Sequence, residues 1–277
     1  MRRAVIAGVG LMGGSLGLAL RRRGWRVVGL GRDAARLAKA RRRGAVDQTT
    51  TDPARALPGA DVLVLCAPVD QLADQARRLR PFVENKTLVM DVGSVKGAVL
   101  RALAPLFPPG GPVFVGAHPM TGSEKTGVEN ARADLYRGAP CVVTPAPGTP
   151  VRVTARAEKF WRDLGARVVR LTPDAHDRAV AVVSHLPHLI ADALMLTAGA
   201  AGAGPLFRLA AGSFRDATRV AGADPALWRA IFTQNDTALR RALDVFEGAL
   251  GRLAKGWPLP ALRRARALND RFRKDRP

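Results

Sequence analysis

The chain reads as an α/β protein. A doubly wound, mostly parallel sheet occupies residues 1–171, and an all-helical C-terminal domain follows over 172–277. Three observations predict this. Short apolar runs alternate with helix-period segments as far as Leu171, a glycine-rich turn joins the first run to the first helix, and no strand pattern occurs after Thr172. A length of 277 residues with 47% hydrophobic content is enough to build two modest cores.

The predicted strands are residues 4–7, 26–30, 62–66, 87–91, 113–117, 141–144 and 167–171. Runs such as Val62-Leu-Val-Leu-Cys66 are apolar without alternation, as in strands covered on both faces. Between them the 3.6-residue period predicts helices over 11–23, 34–43, 69–79, 96–106 and 151–164. Repeated β–α units of this kind make a parallel sheet. Thr172-Pro173-Asp174 then starts a helix, with a Thr cap, Pro at the first helical position and an acid in the first turn. Asp224-Pro225 repeats that signal, and the later helices break near 202–205, 222 and 256–260. No internal repeat of 20–50 residues is visible.

The net charge is +21, a value that raises the question of nucleic acid or anionic lipid. The basic runs at 21–23, 41–43 and 263–266 sit at ends or polar faces of predicted helices, where cations complement the helix dipole. The chain has a single Tyr, and no alternation of aromatic and basic residues suggests a stacking platform for bases. The charge is therefore read as a solvated surface that attracts anionic small molecules, with no nucleic-acid partner. Arg2 and Arg3 before an uncharged run over 4–20 imitate a targeting signal. That run carries five glycines at ordered spacing and is shorter than a membrane span, so no membrane partner is expected. Cys66 and Cys141 form no CxxC pair, and a reduced, cytoplasmic protein is the simpler expectation.

Gly8-Val-Gly10-Leu11-Met12-Gly13 follows the first strand and opens the first helix. Gly8 permits the tight turn, Gly10 lets the backbone approach a pyrophosphate, and Gly13 lets the helix pack on the strand. The motif, with β–α units after it, predicts a Rossmann-type dinucleotide site with phosphates at the helix N-terminus. At the tip of the second strand, where an acid would bind the ribose hydroxyls of NAD+, stand Gly31 and Arg32. A missing carboxylate beside a guanidinium favours NADP+ over NAD+. Asp33 is the competing acid, but it precedes Ala34 and reads as a helix N-cap.

All four histidines lie between 118 and 188. His118 follows a predicted strand, at the carboxyl end where ligands bind in open α/β sheets; a histidine satisfying loop backbone is the alternative. His185, His188 and Asp192 are spaced to share a helix face and imitate a metal site, but no second ligand cluster accompanies them and no metal is expected.

Five stretches carry a resemblance: 8–20 (GVGLMGGSLGLAL), 91–97 (DVGSVKG), 116–127 (GAHPMTGSEKTG), 184–188 (SHLPH) and the run from Arg219 through Trp228 to Asn235. In that order and spacing the chain resembles the prephenate/arogenate (cyclohexadienyl) dehydrogenase family along nearly its whole length. The resemblance implies hydride transfer from the 4-hydroxyl carbon of prephenate, or of its amino analogue arogenate, to NAD(P)+ with loss of carbon dioxide, on the route to tyrosine. It makes His118 the base for the hydroxyl proton and Ser94 a serine that helps orient it. Ser94 also suits an N-cap of the following helix. It further implies Arg219 as the partner of the ring carboxylate, Ser123, Glu124, His176, His188 and Trp228 as pocket residues, and a homodimer. The nearest rival is another two-domain dehydrogenase of the β-hydroxyacid type, which would use a lysine early in the helical half; residues 172–196 contain none. A non-catalytic redox-sensing regulator on the same domain is the rival from another class, and it would not require the polar pocket set.

Overall fold

Eight strands form one sheet: β1 (Arg3–Ala7), β2 (Arg26–Leu30), β3 (Gln48–Thr50), β4 (Val62–Leu65), β5 (Leu88–Asp91), β6 (Val113–Pro119), β7 (Pro140–Pro145) and β8 (Arg167–Arg170). Their order is β3-β2-β1-β4-β5-β6-β7-β8 in a computed structural model that describes residues 1–108, 110–122 and 125–274. The six strands from β3 to β6 run parallel, linked by α1 (Leu11–Arg21), α2 (Ala34–Arg42), the short α3 (Pro53–Ala56), α4 (Leu72–Leu79) and α5 (Gly97–Leu103). Neighbouring strand residues point to opposite faces. Accordingly Ile6, Val64 and Met90 join one buried core with Leu16 and Trp161, while Val5, Leu63 and Val89 join a second with Leu30 and Leu72. The sheet is covered on both sides, as its unbroken apolar runs predicted.

Three elements differ from the sequence expectation. β3 and α3 were absent from it: three residues at a sheet edge and one helical turn carry too little periodicity to register. β7 runs antiparallel to β6, with His118 opposite Val142. Among its described residues the connection between them has the 3-10 turn Val128–Asn130 and no crossover helix, and a parallel pairing needs such a crossover. α6 (Val151–Asp163) then returns the chain to β8, which is parallel to β7.

From Pro173 onward the described chain is helical: α7 (Pro173–Val180), α8 (Leu186–Ala200), α9 (Ala203–Leu209), α10 (Gly212–Thr218), α11 (Pro225–Gln234), α12 (Asp236–Ala254) and α13 (Leu259–Lys274). The caps are those the sequence signalled: Thr172 accepts from Ala175 N at 3.2 Å and Asp224 from Ala226 N at 2.8 Å. α7 and α8 are one continuous helix joined by a π turn at Ala181–His185. By length and composition alone this 28-residue helix could cross a membrane, and a third of its most apolar window is buried inside the chain. The helical half has a small core, Ala181, Leu186, Leu239 and Ala242, and α13 buries no residue.

Candidate active site

The glycine turn comes first. Gly8 has φ +101°, and a side chain there would meet the carbonyl oxygen of Cys66 at 2.9 Å. A Cβ on Gly13 would collide with the carbonyl of Gly8, so helix and strand approach only because both lack side chains. Gly10 faces open space and is the N-cap of α1, whose first turn has no side-chain cap. Its N–H groups are left for a ligand, with Leu11 and Met12 in that turn and Tyr136 donating to Met12 O at 2.7 Å.

In front of the turn lies a cavity of about 770 Å³, lined by Gly8, Gly10, Cys66 and the segment Thr126–Glu129. Its far end holds Gly31, Arg32, Arg36, Lys39 and Arg78. Asp33 is there too, but its carboxylate caps α2, accepting from Ala35 N at 2.8 Å and Arg36 N at 3.1 Å. The backbone hydrogen bond from Arg36 leads in holding that carboxyl below its usual range. Arg32 contacts Gln71 Oε1 at 3.3 Å. The space, the uncapped N–H groups and the cation-rich rim fit a dinucleotide.

Past β4 the carboxyl ends of β5 and β6 carry a buried polar cluster. Asp91, fully buried, accepts from Gly93 N at 2.8 Å and from Ala117 N at 3.0 Å, and it pairs with the buried Lys96 ammonium. Lys96 Nζ also donates to Ala117 O at 2.9 Å. Both backbone groups of Ala117 are thus tied, and His118 next to it is held in place. His118 lies inside β6 rather than after it, 8% exposed, with Nδ1 at 2.8 Å from His176 Nε2. Burial chiefly, then the nearby His176 and Lys96, keeps its pKa well below 6.5, so the ring is neutral near pH 7.

His176 was expected on the pocket wall, and here the structure departs from the sequence reading. It is 0% exposed, sits behind His118, and has both ring nitrogens engaged, with Nδ1 at 2.8 Å from Asp177 Oδ1. Asp177 in turn accepts from Lys96 N and Gly97 N, each at 2.8 Å. Burial raises its pKa, but the hydrogen bonds from His176, Lys96 and Gly97 outweigh that and hold it below the usual range. The carboxylate that caps α5 therefore comes from α7, displacing the capping role that Ser94 could have filled. Ser94 stands half-buried in the β5–α5 loop, and its hydroxyl makes no hydrogen bond among the described residues. Asn235 closes the cluster: its Nδ2 donates to Asp177 O at 2.9 Å and lies 3.1 Å from His185 Nδ1.

A second cavity, about 650 Å³, opens within the helical half between α8 and α11, lined by His188, Asp192, Met195, Thr218, Ala221, Trp228 and Phe232. His188 stacks on Trp228 with ring centroids 3.6 Å apart. Arg219 follows Thr218 on the adjoining 3-10 turn and is exposed. Ser123 and Glu124 lie outside the described residues. His185 and His188 turn to different partners, and no cluster of three metal-ligating side chains is found among the described residues.

Asp91, Lys96, Asp177, Asn235 and His185 were not picked out as site residues from the sequence. Lys96 and Asp91 belong to the 91–97 stretch, where an acid and a lysine five residues apart across a glycine loop were the available signal.

A nucleotide cavity on a glycine turn and a buried neutral imidazole at the carboxyl end of the same sheet, completed by a helical half, define a dinucleotide-dependent dehydrogenase. Residues 16–170 match the nucleotide-binding domain of prephenate dehydrogenase and residues 172–256 its dimerization domain. The chain is 35% identical to the cyclohexadienyl dehydrogenase of Zymomonas mobilis over 75% of its own length and 71% of that protein. Among solved structures it is similar to the prephenate dehydrogenase of A. aeolicus in complex with hydroxyphenyl propionate and NAD+ (32% identity, TM-score 0.85, covering 99% and 96% of the two chains). It is likewise similar to the Synechocystis arogenate dehydrogenase (31% identity, TM-score 0.82, covering 98% and 99%). The chain belongs to the prephenate dehydrogenase family.

Proposed function

We propose that this chain oxidatively decarboxylates prephenate, or arogenate in its place, with NADP+ as the preferred acceptor, in tyrosine biosynthesis. The observation that carries the reading is the buried, neutral His118 at the carboxyl end of β6, on the same sheet whose glycine turn opens the nucleotide cavity. The nicotinamide, when bound, supplies the hydride acceptor. His118 takes the proton of the ring hydroxyl as that carbon loses its hydride, and the bond to the departing carboxylate gives its electron pair to the ring, which becomes a phenolate that takes the proton back to form the phenol. Ser94, half-buried in the β5–α5 loop, is assigned to orient this imidazole and the hydroxyl. Arg219 is assigned to the ring carboxylate, which a planar guanidinium fork matches. His188, Trp228, Ser123 and Glu124 are assigned to the pocket.

The NADP+ preference rests on the lining of the first cavity: Arg32, Arg36, Lys39 and Arg78 gather there, and Asp33, the acid next to Arg32, is spent capping α2. We assign residues 1–171 to cofactor binding and 172–277 to substrate binding and homodimer formation. Exposed Val182, Leu196, Leu209, Val245 and Phe272 all lie in that second half and support its association with another copy.

A rate matrix of prephenate and arogenate against NAD+ and NADP+, followed by absorbance of the reduced nicotinamide, tests the reading. His118→Asn is expected to lower kcat by about two to four orders of magnitude. Turnover near the native rate would remove His118 from the mechanism.

A further inference from the structure

Hydrogen-bond polarity along the His118 cluster has one self-consistent solution. Asp177 is an acceptor at both oxygens, since Lys96 N and Gly97 N donate to it. The nitrogen of His176 that faces it, Nδ1, therefore carries the hydrogen. His176 is fully buried, and burial keeps its pKa below 6.5, so the ring is neutral and its Nε2 is a lone pair. His118 Nδ1, 2.8 Å away, must then be the donor. That leaves Nε2 of His118 as the basic nitrogen, with no partner among the described residues.

We propose that His176 and Asp177 are positioning residues that hold His118 in the Nδ1–H tautomer and present its Nε2 to the substrate hydroxyl. The proposal rests on the reading that His118 is the base of this reaction. Free imidazole side chains favour the opposite tautomer, so without these neighbours much of His118 would turn an N–H toward the hydroxyl and could not accept its proton. The chain does more than select. When the hydroxyl proton moves to Nε2, the Nδ1–H bond to His176 becomes charge-assisted, and the Asp177 carboxylate lies at the far end of the row to offset the imidazolium.

The arrangement also crosses between the two halves of the molecule. His118 is on β6 and Asp177 on α7, yet Asp177 is fixed by the N-terminus of α5. Gly97 is required for this approach, because a Cβ there would stand 2.7 Å from Asp177 Oδ2. The tautomer of the base is thus set only when α7 is seated against α5.

Two measurements on the full chain test the assignment. Long-range proton–nitrogen NMR of the four histidines near neutral pH is expected to show His118 and His176 both protonated on Nδ1. In His176→Leu, His118 is expected to move to the Nε2–H form. A native His118 already protonated on Nε2 overturns the proposal. Kinetically, His176→Leu is expected to lower kcat by about 10²–10³-fold with little change in KM. His176→Gln, whose amide can accept from His118 and donate to Asp177, is expected to restore kcat to within about tenfold of the native value. Equal losses in the Leu and Gln variants overturn the proposal. A native chain that turns over neither substrate would sink the functional reading, while the spectra would still decide the tautomer.

Discussion

Replacing Arg32 and Arg36 together by Gln probes the choice of cofactor at the rim of the nucleotide cavity. Both side chains are exposed; Arg36 makes only a loose 3.4 Å pair with Asp33, and Arg32 a 3.3 Å contact with Gln71. Neither is committed to holding the fold, so the loss should fall on the ligand. In water a guanidinium on a phosphate dianion is worth about 1–1.5 kcal/mol. Two of them give about 2–3 kcal/mol, or about 30–150-fold weaker NADP+. Lys39 and Arg78 stay in place and pull the figure toward the lower end. NAD+, which lacks the phosphate, should change by no more than about threefold. Adding Gly31→Asp supplies an acid for the ribose hydroxyls at slight steric cost, since its Cβ would meet Leu37 Cδ2 at 3.3 Å. The assay is KM for each cofactor at low and high salt, where screening should shrink the effect on NADP+. Equal weakening of both cofactors, or a native preference for NAD+, refutes the reasoning.

The pH dependence of kcat/KM should hold level through neutrality and fall on acidification through a value below 6.5, because burial lowers the pKa of His118 and the base works only unprotonated; an acid limb above 6.5 would contradict this. Stability should decline over the same range. His185 is buried with a pKa lowered from 6.5 to about 4, so the unfolded chain takes up its proton first, and about 3 kcal/mol is lost as pH falls from 6.5 to 4. Urea unfolding at several pH values should show a shallower decline in His185→Gln. Gly97→Ala should cost about 1–3 kcal/mol and reduce kcat as well, since Asp177 must back away from the new methyl; a thermal melt and a kcat measurement unchanged from native would contradict the close packing.

The glycine turn and the alternation of strands and helices were legible because each is written locally. Gly8 and Gly13 answer to backbone geometry within a few residues, and Val62–Leu65 is apolar on both faces because it is covered on both. What could not be seen is what the fold brings from afar. His176 meets His118 across 58 residues, and Asp177 reaches Lys96 across 81. Lys96 looks from sequence like a solvated charge at a helix start, whereas it is 1% exposed and paired with Asp91. His176 is fully buried against His118, a contact that its motif position alone does not reveal.

The π turn at Ala181–His185 carries its own consequence. On an uninterrupted helix each residue advances about 100°, so His176 and His185, nine apart, would project on opposite sides. The widened turn absorbs one residue and brings His176, His185 and His188 into angular phase toward the interior, where all three are found. It follows that this stretch holds one residue more than a regular helix needs. Excising the exposed Val183 would regularise the turn while leaving the heading of every later side chain unchanged, whereas the same deletion a turn into α8 would swing the rest of that helix out of alignment.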